Sequence, residues 1–330
     1  MQNKLAELLA GKSSVAIAGH VNPDGDCVGS CMGLYQYIKD NFKNLETDVY
    51  LEEIPSHFTF IRGTEDIRHE AAKGKVYDLF ICLDCGDTQR LGFAAPLFEH
   101  AAHTFCVDHH ISNSAFAEEN HIQPDASSTS ELIYQLLDKD KITREIAEAL
   151  YIGIVHDTGV FQYSCAGPDT FRAAADLLEK GIDAPSMIES TYYEKSYAQN
   201  QILGRALLES IIFMDGQCIF SSVSRSVMKF YGVTPKELEG IVSQLRVTKG
   251  VEVAIFLYEV EPNVYKVSLR SKNKVDVSKV AQFFGGGGHV RAAGFTMPGT
   301  VHDVINNLSR QIEKQLSPEL YEGTEERAEA

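Results

Sequence analysis

The chain contains no tryptophan, and it has far fewer basic than acidic residues, 30 against 46, over a length of 330 residues. The resulting net charge of −16 argues against non-specific binding of long nucleic acid, because such binding requires a basic surface that displaces counterions. A short oligonucleotide or a mononucleotide is not excluded, since metal ions and a few arginines are enough to hold its phosphates.

The sequence also lacks any run of about 20 apolar residues, so we expect no transmembrane helix. Its first residues show no apolar core of a signal peptide. The seven cysteines are an odd number, and the CxxC pair of Cys82 and Cys85 has no second pair to complete a zinc site. We therefore expect reduced thiols in a cytoplasmic protein.

The length allows one large or two ordinary domains, and a hydrophobic content of 44% supports a well-buried core. The first half alternates short apolar runs with helix-like segments, a pattern that predicts a parallel α/β sheet. From residue 211 onward the sequence contains mainly segments typical of β-strands. We expect a first domain at 1–187, a helical linker at 188–209, a second domain at 210–316 and a disordered acidic tail at 317–330.

Acidic residues and histidines cluster directly after the apolar runs of the first half. In a parallel sheet such positions lie at the carboxyl ends of strands, where active groups converge. Converging carboxylates repel one another by roughly 4 kcal/mol for a pair at about 4 Å and an effective dielectric of about 20, so their gathering implies bound cations. The candidate metal ligands are His20, Asp24, Asp26, Asp84, His109 and Asp157.

These donors suit a hard or borderline divalent ion such as Mn²⁺ better than a structural zinc site built from thiolates. We expect His20 and Asp24 to face one ion and Asp84, which follows a different strand, to bridge two ions. The second ion takes the remaining candidates, Asp26, His109 and Asp157. Two such ions clamp a water, lower its pKa and stabilise the transition state of phosphoester hydrolysis by hydroxide attack.

The run Asp108-His109-His110 predicts a division of roles. One imidazole ligates a metal, and we assign that role to His109. Its neighbour His110 faces the substrate, where it stabilises charge or protonates the leaving oxygen. Asp108 does not bind the metal itself but orients an imidazole by accepting a hydrogen bond from it. The roles of the two histidines could be exchanged.

A glycine-rich segment, 285–295, predicts an anion-binding site in the second domain. Four consecutive glycines expose backbone N–H groups against which a phosphate can lie. A helix beginning near His289 would add a favourable dipole. A guanidinium at the end of the preceding strand can bind phosphate through two hydrogen bonds, whereas Arg90 in the first half is a weaker candidate. The candidate substrate contacts are Arg270, Ser271, Gly286, Gly287, Gly288, His289 and Arg90.

The motifs resemble those of the DHH phosphoesterase superfamily, which is named for the triplet found here at 108–110. The first family motif stands at 20–26, the second at Asp84 and the fourth at 157–159, while 285–294 looks like the signature of a DHHA1 domain. The resemblance implies a parallel-sheet DHH domain and a smaller α/β DHHA1 domain, with an active-site cleft between them. It assigns metal binding to the same six residues named above.

Within the superfamily, the order and length resemble the stand-alone bacterial nanoRNase and pAp phosphatase subgroup. This resemblance implies an Mn²⁺-dependent hydrolase that degrades RNA of two to a few nucleotides to mononucleotides. It also implies removal of the 3′-phosphate from 3′-phosphoadenosine 5′-phosphate (pAp), giving AMP. The expected partners are these short nucleotides, with no long nucleic acid and no membrane; a homodimer is allowed, but the sequence does not decide the oligomeric state.

Other interpretations remain open at this point. A phosphodiesterase for cyclic c-di-AMP or linear pApA would use the same two-domain architecture. A family II pyrophosphatase shares the first domain but should lack the segment 285–294. A RecJ-type exonuclease on long DNA should carry further domains and a basic groove. A catalytically silent nucleotide-binding regulator is the alternative of a different class.

Overall fold

The computed structural model describes residues 4–317 and residue 319. The chain divides into two compact units, with the boundary between Glu194 and Lys195. Apart from residues 317 and 319, the predicted acidic tail at 317–330 lies outside the described residues. Within the described part of the chain, no helix is both long and apolar enough to cross a membrane.

The first unit contains a five-stranded sheet in which neighbouring strands are all parallel. Its strands are β1 (Ser14–Ala18), β2 (Glu46–Tyr50), β3 (Leu79–Leu83), β4 (Thr104–Asp108) and β5 (Glu119–Ile122). They are arranged in the order β2-β1-β3-β4-β5. The central strands are buried almost throughout because helices cover both faces of such a sheet. The predicted parallel α/β architecture is confirmed.

The helices of the first unit begin before β1 and continue beyond β5. They are α1 (Lys4–Leu9), α2 (Gly25–Asn41), α3 (Ala95–His100), α4 (Thr129–Leu136), α5 (Arg144–Asp157), α6 (Pro168–Leu178) and α7 (Ala184–Ile188). Short 3₁₀ turns lie at Ser56–Phe58, Thr64–Asp66, Thr88–Ala94 and Lys139–Lys141, and a π turn lies at Glu189–Tyr193. Side-chain caps fix several starts; Ser128, for example, accepts a hydrogen bond from the N–H of Glu131.

Helices α2 and α5 approach each other so closely that glycine is required at their contact. A Cβ on Gly29 would lie 2.5 Å from the carbonyl oxygen of Ala149. A Cβ on Gly153 would overlap Ser130 Oγ and lie 2.8 Å from Asp26 Oδ1. This contact therefore fixes α2, and with it the carboxylate of Asp26, against the rest of the unit.

The outer strand β2 carries a buried carboxylate, Asp48, that is 8% exposed. It accepts hydrogen bonds from Lys75 Nζ at 2.6 Å, Arg68 Nε at 3.1 Å and the hydroxyl of Tyr77. Burial alone would raise the pKa of Asp48, but Lys75 and Tyr77 outweigh it and lower the pKa below its ordinary value. Inward-pointing charges of this kind also discourage pairing of an edge strand with another chain.

The second unit contains a six-stranded sheet in the order β10-β11-β9-β8-β7-β6. Its strands are β6 (Ile211–Phe213), β7 (Cys218–Val223), β8 (Val253–Glu261), β9 (Val264–Ser271), β10 (Gly287–His289) and β11 (Ala292–Pro298). The pair β7 and β8 is parallel, whereas the other pairs are antiparallel. Pro262 and Asn263 join β8 to β9 in a hairpin.

The helices of this unit are α8 (Tyr197–Leu208), α9 (Arg225–Tyr231), α10 (Ile241–Arg246), α11 (Val277–Phe283) and α12 (Val301–Leu316), with a 3₁₀ turn at Pro235–Leu238. One core lies between the sheet and helices α11 and α12. A second core packs α8, α9 and α10 against the sheet. The expected α/β class of the second domain is confirmed.

Replacing Gly153 by alanine should destabilise the first unit by about 1–3 kcal/mol, because the added methyl group enters a filled helix contact. Gly204 in α8 is the matched control, since a Cβ there meets no heavy atom within 4 Å. The change Gly204→Ala should raise stability by up to about 1 kcal/mol through better helix propensity. Urea unfolding of both variants measures the difference; equal stabilisation of both would contradict the close contact.

Replacing Asp48 by asparagine should lower the free energy of unfolding by about 2 kcal/mol at pH 7, since charge-assisted hydrogen bonds are lost. The folded-state pKa of Asp48 lies below its ordinary value. Its contribution is therefore complete above the unfolded-state pKa of about 3.9 and disappears as the pH falls through the folded-state pKa. Urea unfolding between pH 7 and pH 3 should show the two proteins converging only at the acid end.

Candidate metal centre

The site of the first unit forms at the carboxyl edge of its sheet. His20 lies two residues beyond β1, Asp84 directly follows β3, and Asp108 is the last residue of β4. Strands β1, β3 and β4 are neighbours in the sheet, so parallel pairing brings their ends to one edge. This is the position at which the sequence predicts the active groups.

Helix α2 begins within the site and supplies two carboxylates. Asp24 caps α2 by accepting hydrogen bonds from the N–H groups of Asp26 and Cys27, both at 3.1 Å. Asp26 itself is 1% exposed and accepts from the N–H groups of Thr129 at 2.6 Å and Ser130 at 2.9 Å. The amino end of α4 thus holds Asp26 in place, as expected for a carboxylate at the positive end of a helix.

Asp84 stands between two groups of donors. Its Oδ2 lies 3.4 Å from His20 Nε2, while its Oδ1 lies 3.6 Å from His109 Nε2. Thr129 Oγ1 also donates a hydrogen bond to Oδ1, at 3.1 Å. The backbone of Asp84 has a φ of 55°, a left-handed conformation that aspartate tolerates better than most residues. Each oxygen of this carboxylate therefore faces a different imidazole.

The remaining candidates complete the two groups. Asp24 Oδ1 lies 3.7 Å from His20 Nε2. On the other side, His109 Nε2 lies 3.1 Å from Asp157 Oδ2 and 3.9 Å from Asp26 Oδ2. One atom each from Asp26, His109 and Asp157 fall within 4.8 Å of one another, close enough to bind one ion. All six predicted ligands are therefore brought together.

The charges of these side chains do not balance by themselves. Loss of hydration and the charge of Asp84 raise the pKa of Asp26 well above its ordinary value. Loss of hydration and the charges of Asp26 and Asp84 do the same to the pKa of Asp157. Burial opposes the charged form of His20, yet Cys27, Asp24 and Asp84 outweigh it and raise its pKa to about 12. Divalent cations would supply the positive charge that these carboxylates need, so the donor set fits them.

Among the described residues, Cys27 is the one cysteine whose Sγ falls within a cluster of possible ligand atoms, together with His20 and Asp84. Its Sγ donates to the carbonyl oxygen of His20 at 3.8 Å, and a sulfur-to-oxygen contact of this length is weak. Burial raises the pKa of Cys27 well above its ordinary value, so the thiol stays protonated. The carboxylate and imidazole groups, rather than sulfur, thus define the chemistry of the centre.

Asp108 and His110 form a pair beside the candidate ligands. His110 Nδ1 donates to Asp108 Oδ1 at 2.7 Å, and Asn113 Nδ2 donates to Asp108 Oδ2 at 2.6 Å. Burial alone would raise the pKa of Asp108, but these two partners lower it. Burial likewise opposes the charged form of His110, and Asp108 outweighs it and raises the pKa of His110. The pair can therefore hold a proton at His110.

Arg90, the weaker candidate, lies in the 3₁₀ turn after β3. Its backbone carbonyl accepts a hydrogen bond from the N–H of Val21, which ties this turn to the loop that carries His20. The charge of its half-buried guanidinium lowers the pKa of His110 and so opposes the effect of Asp108. The charges of Arg90 and His110 therefore interact.

In the second unit, the glycine-rich segment forms a hairpin of β10 and β11 instead of a helix amino terminus. Gly288 pairs with Ala293, has a φ of 143°, and could not carry a side chain beside Ala292. Gly286 is also restricted, because a Cβ there would collide with the backbone of the opposite strand. The dipole expected of a helix near His289 is thus absent from this described segment.

The polar side chains near this hairpin have structural partners. The guanidinium of Arg270 donates to the carbonyl oxygen of Leu269 at 3.0 Å. Ser271 is 1% exposed, and its hydroxyl donates to the carbonyl oxygen of Val290 at 3.4 Å. Arg291, which the sequence does not single out, bonds the carbonyl oxygens of Val275 and Asn273 and supports the loop before α11.

The sequence does not identify three residues that hold Asp26 and Asp108 in place, namely Thr129, Ser130 and Asn113. Thr129 and Ser130 have a visible helix-cap context, but no local pattern reveals that their N–H groups hold Asp26. Asn113 bonds Asp108, which is 5 residues away, and the carbonyl oxygen of Cys85, which is 28 residues away, and no local pattern indicates either contact. His156 adjoins Asp157 but faces Thr191, with 3.1 Å between Nε2 and Oγ1.

Comparison with known families places these two units in context. The sequence model of the DHH family, N-terminal domain, matches residues 14–154. The model of the DHHA1 domain matches residues 215–317. The first match therefore contains five of the six predicted ligands and the pair Asp108 and His110, while Asp157 lies three residues beyond its end.

Two curated relatives match this chain over most of their length. The chain is 28% identical to the bifunctional oligoribonuclease and PAP phosphatase NrnA of Thermus thermophilus, over 89% of this chain and 88% of that one. It is 23% identical to the Bacillus subtilis protein of the same name, over 89% and 92% of the two chains.

Among solved structures, an exopolyphosphatase-related protein from Bacteroides fragilis matches with a TM-score of 0.86. The two chains are 25% identical, and the match covers 94% of this chain and 95% of that one. The agreement of sequence motifs, domain matches and fold leads to one conclusion. The chain belongs to the DHH phosphoesterase superfamily and combines a DHH-family N-terminal domain with a DHHA1 domain.

Proposed function

We propose that this protein hydrolyses phosphate esters of very short oligoribonucleotides and of pAp, using two divalent ions, Mn²⁺ by preference. The observation that carries the proposal is the position of Asp84, whose two oxygens lie 3.4 and 3.6 Å from imidazole nitrogens of separate donor groups. A carboxylate placed in this way suits the bridging ligand of a two-ion site. The names of the curated relatives support the class of substrate.

The donor set supports the choice of ion. His20, Asp24 and Asp84 form one group, and Asp26, Asp84, His109 and Asp157 form the other. Oxygen and imidazole donors in this proportion favour Mn²⁺ and similar ions over ions that require thiolates. When bound, two such ions activate a water and neutralise charge on the phosphoryl group.

The side chains beside the ions have separate tasks in this proposal. His110, held by Asp108, protonates the leaving oxygen. Arg90 offsets the charge of the phosphate near His110. In the second unit, Arg270 and the hairpin residues 286–289 bind the outer phosphate or the base, whereas the buried hydroxyl of Ser271, also a candidate from the sequence, bonds within the unit. Because the chain is strongly acidic, long RNA gains little from its surface and should be cut poorly.

Turnover of defined nucleotides tests the proposal. With Mn²⁺, the protein should degrade a 5′-labelled diribonucleotide and release phosphate from pAp, whereas a 24-mer RNA should react far more slowly. The variant Asp84→Asn should lose about 10³-fold or more in kcat, since about 4 kcal/mol of transition-state stabilisation depends on the bridging carboxylate. Asp125→Asn, an exposed acid outside the donor groups, should keep full activity.

Three results would contradict this assignment. Cleavage of c-di-AMP without cleavage of the linear substrates would move the protein to cyclic-dinucleotide signalling. Equal rates on the dinucleotide and the 24-mer would remove the preference for short chains. Nucleotide binding without any turnover in Mn²⁺ would indicate a regulator rather than an enzyme.

Thermal stability with and without metal tests the charge balance independently of activity. In EDTA, Asp157→Asn should melt higher than the wild type at neutral pH, because a carboxylate with a raised pKa loses stability once it is ionised. Each kcal/mol should appear as about 2–4 °C. Mn²⁺ at about 100 times its Kd should stabilise the wild type by about 2.7 kcal/mol and the variant by much less.

Asp125→Asn again provides the control, since it removes one negative charge without touching the centre. It should show the wild-type response to Mn²⁺ and nearly the wild-type melting temperature in EDTA. If Asp157→Asn lowered the melting temperature in EDTA and kept the full response to Mn²⁺, Asp157 would be a structural residue rather than a ligand.

A further inference from the structure

Asn113 lies in the loop after β4, and its side chain connects two strand ends of the metal centre. Its Nδ2 donates to Asp108 Oδ2 at 2.6 Å and to the carbonyl oxygen of Cys85, which follows Asp84, at 3.1 Å. Its Oδ1 accepts from the N–H of Ala115 at 2.8 Å. With partners for both amide hydrogens and for the oxygen, the orientation of this amide is fixed.

Asp108 depends on this amide because it is fully buried. A buried carboxylate is stable in its charged form only when its oxygens receive hydrogen bonds. Oδ1 accepts from Nδ1 of His110 at 2.7 Å and from the N–H of His110 at 3.2 Å. Oδ2 is held by Asn113, so loss of the amide would let the carboxylate rotate and would weaken the bond that orients His110.

We infer that Asn113 is a positioning residue for hydrolysis: it fixes Asp108, which in turn holds His110 ready to protonate the leaving oxygen. This inference rests on the proposed function. In the step concerned, the oxygen of the attacking water bonds to phosphorus while the bond from phosphorus to the leaving oxygen breaks. His110 gives its proton to the leaving oxygen and recovers one from solvent, which also takes the proton that the water loses.

A comparison of leaving groups separates this role from simple structural support. The ribose oxygen of a diribonucleotide leaves as a strongly basic alkoxide and needs the proton of His110. The 4-nitrophenolate of a nucleoside 5′-phosphate 4-nitrophenyl ester is weakly basic and leaves without it. A residue that acts through His110 should therefore affect the first substrate and spare the second.

With the Mn²⁺-loaded full chain, Asn113→Ala should lower kcat on the diribonucleotide by about 10–100-fold, as is usual when a partner that orients a site residue is removed. The KM of that substrate and the kcat of the nitrophenyl ester should change by no more than a few-fold. Asn113→Leu keeps much of the side-chain volume but removes the donor to Asp108. It should show the same selective loss and serves where the alanine variant folds poorly.

Asn120→Ala is the matched control, because Asn120 lies in β5, just beyond the loop that carries Asn113. Its amide bonds only loop backbone, at Ala117 and Ala115. The kcat on both substrates should stay unchanged in this variant.

A double variant provides a second test. In a His110→Ala background, Asn113→Ala should cause no further loss of kcat on the diribonucleotide, because the effects of two residues that act as one unit are not additive.

Equal losses on the two substrates, or an undiminished loss in the His110→Ala background, would overturn the role of Asn113 and leave the proposed function intact. If the wild type turned over neither substrate, the proposed function itself would fail. Retention of full diribonucleotide activity by both Asn113 variants would also overturn the inference.

Discussion

The repulsion among carboxylates at one edge of a parallel sheet is the constraint on which the first unit depends. Asp24, Asp26, Asp84 and Asp157 converge there, and two of them have raised pKa values because they are desolvated close to one another. Each like-charged pair costs roughly 4 kcal/mol at about 4 Å and an effective dielectric of about 20. A fold that maintains this arrangement must provide both a rigid frame and room for cations.

The frame comes from secondary structure rather than from the site itself. The contact of Gly29 and Gly153 locks α2 against α5, and these two helices carry Asp26 and Asp157. Three neighbouring strands supply the loops that carry the other ligands. Because every ligand is attached to a buried element, the carboxylates cannot separate without disrupting the core.

The sequence predicts the frame and the ligands well, because both depend on local patterns. Strand β3 (Leu79–Leu83) is one of the apolar runs, and helix α5 (Arg144–Asp157) is one of the helix-like segments, that alternate in the first half of the sequence. Strand β5 (Glu119–Ile122) is missed because it is polar and half-exposed; only its pairing with β4 makes it a strand. The hairpin at 287–298 likewise depends on pairing with β9, which no local signal near His289 reveals.

The residues that hold the ligands are harder to predict, for a reason that follows from the charge of the site. Asp26 is held by the backbone N–H groups of Thr129 and Ser130, and Asp108 is held by the neutral amide of Asn113 and by His110. A lysine or arginine at these positions would satisfy the same oxygens but would neutralise the charge that attracts divalent ions. Neutral donors orient the carboxylates and leave their charge available. Such donors carry no distinctive sequence signature, because any residue has a backbone N–H and many asparagines merely cap loops, so only the folded chain identifies them.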